Sequence, residues 1–146
     1  MPVDVLTQTM IERPLAVVAD YAVDPVNAPE WYANISSVDW ETTPPLALGS
    51  RLGFVAHFLG RRMAYTYEVV DLAPRERLVM RTAQGPFPME TTYTWLAEDS
   101  SSTLMTLRNR GEPAGFASMA GPLMAKAMSR ANTKDLARLK QILEAQ

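Results

Sequence analysis

The sequence contains no cysteine and a single histidine. Without cysteine there is no disulfide, no thiol nucleophile, no iron–sulfur cluster and no Cys-ligated zinc. With one imidazole, the ligand sets of the usual zinc hydrolases are excluded, and no metal site is expected. An excess of one charge is also lacking. Fourteen Lys and Arg stand against sixteen Asp and Glu, for a formal charge of −2, so no nucleic-acid partner is expected. No apolar run approaches the roughly 20 residues of a membrane span, which argues against integral membrane association. The opening MPVDVLTQTMIERP has no basic region followed by a long apolar core. A signal peptide is therefore not expected, and the cytoplasm is the default location. There is no P-loop, dinucleotide fingerprint, nucleophile elbow or calcium loop, and no cofactor is expected.

What is present is a chain of 146 residues, 47% apolar, with nine methionines and eleven prolines. No linker, low-complexity tract or repeat divides it. Its length fits one domain over residues 1–146. A chain of this size buries roughly two-thirds of its unfolded surface, enough for one core, or for a smaller core plus a cavity.

Hydrophobic periodicity sets the element order. Val3 to Ile11 alternates as a strand and stops at Arg13-Pro14. Pro14 to Tyr21 reads as a short helix with Pro14 at its first position. Asp24-Pro25 reads as the cap and first position of a second helix carrying Trp31 and Tyr32. Strands are then expected at Ser37–Thr42, Arg51–Leu59, Arg62–Leu72, Arg77–Ala83, Met89–Ala97 and Thr103–Asn109. Gly60 marks a turn, and Gly85-Pro86-Phe87-Pro88 a loop, because two prolines do not fit a central strand. From Gly115 to Ala145 the period changes to 3.6. Gly121-Pro122 predicts a short helical turn, a break, and a long helix from Pro122. Consecutive strands with short connections imply an antiparallel meander, so the class is α+β. A seven-stranded sheet curls, and one long helix laid in the curl leaves space lined by the inward strand parity.

Several runs resemble the polyketide cyclase/dehydrase-type branch of the START-like superfamily, also known as SRPBCC or Bet v 1-like helix-grip proteins. They are Gly49-Ser50-Arg51 with Phe58-Leu59-Gly60-Arg61-Arg62, Val69-Val70-Asp71 with Pro74-Arg75-Glu76-Arg77-Leu78, the Gly85-Pro86-Phe87-Pro88 loop, and Asp135-Leu136-Ala137-Arg138-Leu139-Lys140. The resemblance covers nearly the whole chain. Where such proteins often carry a glycine before the seventh strand's threonine, this chain has Ser100-Ser101-Ser102-Thr103. The resemblance implies a helix-grip fold: a seven-stranded curved antiparallel sheet wrapped around a long C-terminal helix, with two short helices after strand 1. It also implies an apolar lipid-, polyketide- or quinone-like ligand held between sheet and helix. Its motifs are structural and leave function open.

The inward parity names the expected ligand wall. Met63, Met80, Met89 and Met105 fall on it, and Met119, Met124 and Met128 lie on or near the helix stripe with Phe116 and Leu123. Flexible thioethers suit a cavity of adaptable shape; the alternative is methionine filling an ordinary core. Phe54, Phe58, Trp95 and Leu107 share the wall. Its polar members are Tyr65, Tyr67, Tyr93, Thr82, Thr91 and Asn109, which orient a ligand or bond one another. Tyr65, Tyr67 and Tyr93 are the catalytic candidates if the chain is a cofactor-independent cyclase or dehydratase. His57 has outward parity and reads as a surface residue. Arg61, Arg62, Arg108 and Arg110 read as a solvated outer face, with an anionic head group as the alternative. Arg81 is outward in an otherwise apolar strand. Trp31, Tyr32 and Trp40 are core or rim, with Trp31 and Tyr32 as a candidate gate. The 85–89 loop is a second rim element.

The primary expectation is binding of a small hydrophobic or amphipathic molecule. The alternatives are a polyketide or aromatic cyclase or dehydratase, and a co-chaperone-like protein-interaction module. A homodimer is left open.

Overall fold

The computed structural model describes residues 3–58, 60–112 and 121–146. The alternating stretches form β1 (Val3–Ile11), β2 (Ile35–Trp40), β3 (Arg51–Phe58), β4 (Arg61–Ala73), β5 (Arg77–Gln84), β6 (Met89–Asp99) and β7 (Ser102–Gly111). They make one antiparallel sheet in the order β1-β7-β6-β5-β4-β3-β2. The chain's first strand thus closes onto its last, with Val5 opposite Asn109 and Ile11 opposite Thr103. Register slips at Thr66/Tyr67 and Val69/Asp71 in β4 and at Ala97/Asp99 in β6. Such bulges increase local twist and bend the strands, which curls the sheet.

α1 (Leu15–Val23) and α2 (Ala28–Trp31) follow β1, and α3 (Gly121–Glu144) closes the chain. This is the helix-grip arrangement: a curled seven-stranded sheet around a C-terminal helix. No helix among the described residues is long and apolar enough to cross a membrane.

Several boundaries differ from the sequence reading, most of them by one or two residues at strand ends. Pro14 stands just before α1, not inside it, with its carbonyl accepting from the Val18 amide at 3.1 Å. The expected second helix splits into a 3₁₀ turn, Pro25–Asn27, and the single turn α2. Pro29 explains the split, because it cannot donate back to Pro25. Asp24 does cap this segment, accepting from the Val26 amide at 3.1 Å. β2 starts at Ile35, two residues early, across a slip at Ile35/Ser37. The expected helical turn after Gly115 lies outside the described residues. So do Phe116 and Met119.

The core is densest where the last turns of α3 cross the sheet. Leu136, Leu139 and Leu143 are buried there with Ile11, Met105, Leu107, Val18, Leu52 and Leu78. Each such side chain contributes about 1.5–3 kcal/mol on leaving water. The helix end is then fixed by polar contacts to the end of β1. The Arg13 guanidinium donates to the Leu143 carbonyl at 2.8 Å, and Lys140 Nζ donates to the Met10 carbonyl at 2.6 Å.

Candidate functional site

At the other end of the sheet, α3 touches β1 through Met124, which packs with Val3 and Val5, but stands off from the middle strands. A cavity of about 130 Å³ remains, of the order that admits an aromatic ring. β3 contributes Phe54, Ala56 and Phe58, and β4 contributes Met63, Tyr65 and Tyr67. These share one face because Tyr65 stands opposite Phe54 and Met63 opposite Ala56. β5 adds Met80; β6 adds Met89, Thr91 and Tyr93; β7 adds Asn109. The roof is Met124, Met128, Ala131, Asn132 and Asp135 of α3. These recur at three- and four-residue spacing, so they form one stripe of the helix.

Other sequence-derived wall residues lie elsewhere. Met105, Leu107, Trp95 and Trp31 are buried in the packed core. The three strand residues have inward parity, and Trp31 comes from α2, but the core end of the sheet leaves no space beside them. Thr82 is engaged with the backbone, donating to the Met89 carbonyl at 3.1 Å and accepting from the Met89 amide at 2.9 Å. Leu123 is a correction: it is 58% exposed, because the stripe runs through Met124 and Met128 and turns Leu123 to solvent.

The three candidate tyrosines differ in engagement. Thr91 donates its hydroxyl proton to Asn109 Oδ1 at 2.6 Å, so Tyr67 is the donor in its 2.8 Å contact with Thr91. Tyr93 Oη lies 2.7 Å from Tyr32 Oη. Tyr65 stacks on Phe54, with ring centroids 5.4 Å apart, and meets Tyr67 edge-on. The Tyr65 hydroxyl has no hydrogen-bond partner among the described residues. Burial pushes Tyr67 up to about 12 and moves Tyr32, Tyr65 and Tyr93 upward too. All four are therefore protonated donors near neutral pH.

The roof holds two polar side chains that strand parity could not reveal. Asp135 is 3% exposed, and its Oδ1 accepts from the Ala33 amide at 3.1 Å. Burial raises its carboxyl to about 6. Asn132 is 5% exposed, and its Nδ2 has no hydrogen-bond partner. The available signal was an amide and a carboxylate three residues apart on an otherwise apolar helix stripe. Tyr32, Asn34 and Ile35 bring the segment after α2 to the cavity, and Phe87 of the 85–88 loop folds into it. Gly85 makes that loop possible, since a Cβ there would sit 2.9 Å from Tyr65 Cβ.

Arg81, Arg108 and Arg110 of the outer face are paired. Arg108 meets Asp4 at 2.6 Å, and Arg81 meets Glu90 at 2.7 Å. Glu90 also pairs with Arg110, whose residue borders the cavity. His57 is exposed, as its parity implies, and Trp40 packs half-buried against the core. Among the described residues no group of three or more His, Asp or Glu side chains is placed to hold a metal.

Fold and cavity together define a helix-grip protein with a hollow between sheet and C-terminal helix. Residues 2–144 match the family described as polyketide cyclase/dehydrase and lipid transport, and the chain belongs to it. Similar solved structures carry the same fold. A START superfamily protein from Mycobacterium smegmatis aligns over 97% of both chains, with TM-score 0.83 and 16% identity. A protein from Thermus thermophilus aligns over 97% of both, with TM-score 0.81 and 20% identity. The Zhui aromatase/cyclase from a Streptomyces species aligns over 99% of this chain and 94% of its own, with TM-score 0.79 and 14% identity. No curated protein matches the chain.

Proposed function

We propose that this protein binds a small apolar or amphipathic molecule in the cavity under α3. The observation that carries the reading is the cavity itself, about 130 Å³ and walled chiefly by methionine, phenylalanine and tyrosine side chains. Concave apolar sites with a few convergent polar groups are how small molecules are held, and thioethers adapt to varied shapes. Family membership supports the same reading. An interaction module with a filled interior is less consistent with this hollow.

The test is a titration with naphthalene followed by fluorescence. The wild type is expected to bind, and Ala131→Phe, which fills the roof of the cavity, to lose binding while keeping its circular dichroism spectrum. No binding by the wild type, or full binding by the filled variant, would overturn the reading.

A second reading, a cyclase or dehydratase, is favoured by Asp135. A carboxyl raised to about 6 can hold or release a proton near neutral pH. The tyrosines, all pushed upward, would then act as donors, and Tyr65 is the one with an unengaged hydroxyl. This reading predicts that Asp135→Asn abolishes turnover of a poly-β-keto substrate while leaving its affinity intact. Turnover that survives the change would sink it.

A further inference from the structure

The roof of the cavity carries more polarity than the fold uses. Asn132 is buried, borders the cavity and leaves its Nδ2 donor unpartnered. Buried amide groups are ordinarily satisfied, so an orphan donor on a side chain that borders a cavity points to a missing partner there. One helical turn away, Asp135 borders the same space. It has one hydrogen bond, from Ala33 to Oδ1, and no cation pairs with it among the described residues. Together they present a donor and an acceptor three residues apart on one helix face.

We propose that Asn132 and Asp135 form a pole that selects ligands carrying a neutral hydroxyl, as a phenol or alcohol, over ligands carrying a carboxylate. The inference rests on the cavity-binding reading and names the ligand class for that site.

The chemistry of each group gives the selection. A hydroxyl donates and accepts at one oxygen, so it can give its proton to Asp135 while taking the Asn132 N–H. Hydrogen bonds to an ionised carboxylate are the stronger kind. A carboxylate ligand can only accept. It would satisfy Asn132 but place a second negative charge beside Asp135 in a site with little water to screen it. Compensation from elsewhere is limited. Arg110 is the one cationic residue among the described residues bordering the cavity, and it is already paired with Glu90. An ammonium ligand would suit Asp135 but leave the Asn132 donor unpaired. The Tyr32–Tyr93 and Tyr67–Thr91–Asn109 hydroxyls engage one another, and the Tyr65 hydroxyl is a neutral donor, so among the described residues the pole supplies the one anionic acceptor beside an unpaired amide.

The test uses three probes of one size: naphthalene, 2-naphthol and 2-naphthoate, titrated calorimetrically at about pH 7.5, where Asp135 is mostly ionised. The wild type is expected to prefer 2-naphthol over naphthalene by roughly tenfold, the scale of one hydrogen bond to a charged group, and to bind 2-naphthoate more weakly still. Asn132→Leu and Asn132→Ala should each shrink the naphthol preference while naphthalene binding persists. Asp135→Asn preserves the shape and the acceptor for Ala33 but removes the charge. It should raise 2-naphthoate affinity by roughly tenfold. Equal affinity of the wild type for 2-naphthol and naphthalene would overturn the selection with the cavity reading intact. So would continued exclusion of 2-naphthoate by Asp135→Asn. Failure of all three probes to bind the wild type would overturn the cavity reading and this inference with it.

Discussion

The two halves of α3 lie over the same sheet and meet different surroundings. Toward its C-terminus, Leu136, Leu139 and Leu143 are buried against Ile11 and Met105, and Arg13 and Lys140 fasten the helix to the end of β1. Toward its N-terminus the stripe becomes Met124, Met128, Ala131 and Asn132, over a hollow. The chemistry changes with the packing. Three leucines of α3 build the solid end, while two methionines, an amide and a carboxyl of the same helix line the open one. The solid end holds the helix; the hollow end is free to be specific.

This contrast can be broken first at its solid end. Leu139→Ala should cost about 2–5 kcal/mol in urea unfolding, since the side chain is fully buried in dense packing. Met128→Ala, half-buried beside an existing cavity, should cost about 1 kcal/mol or less. Similar losses at both positions would erase the distinction.

The hollow end carries a cost that depends on pH. Asp135 is raised from 3.8 to about 6 by burial. At low pH the carboxyl is neutral in both folded and unfolded chains, and no penalty arises. As pH rises from about 4 to about 6 the unfolded chain loses its proton first, so stability falls. Above about 6 the penalty is complete, up to about 3 kcal/mol. Asp135→Asn should therefore stabilise the protein by up to that amount at about pH 7.5 and by little near pH 4. Urea unfolding at both pH values checks this, and an equal change at both would contradict it.

Smaller effects sharpen the picture at the cavity edge. Gly85→Ala would drive a methyl group to 2.9 Å from Tyr65 Cβ, and overpacking of this kind costs about 1–3 kcal/mol. It should also reduce probe affinity, because Tyr65 must shift. Smallest is Arg108→Ala on the outer face. Its pair with Asp4 is exposed, and the loss should be no more than about 1 kcal/mol, declining with salt.

Much of this was legible in the sequence. Strand parity placed Phe54, Met63, Tyr65, Met80 and Tyr93 on one face, and the structure brings them around one hollow. Parity could not say how far along each strand the hollow extends. Met105 and Trp95 have the same parity as Asn109 and Thr91, yet lie at the end where α3 presses onto the sheet. That boundary depends on the angle of the helix, a tertiary property. Asn132 and Asp135 carry no mark of strand parity, and a polar residue in a helix ordinarily reads as surface. Leu123 failed for a related reason: one residue's error in helical phase is about 100°, enough to turn an apolar side chain outward.

The most direct test of a hollow end and a solid end uses methionine itself. Methyl-¹³C methionine gives a separate NMR signal for each thioether, and naphthalene is the probe. The account predicts that Met63, Met80, Met89, Met124 and Met128 shift on titration, while Met105, fully buried at the solid end, does not. Shifts at Met105 equal to those at Met124 and Met128, or no shift at any cavity methionine, would contradict it.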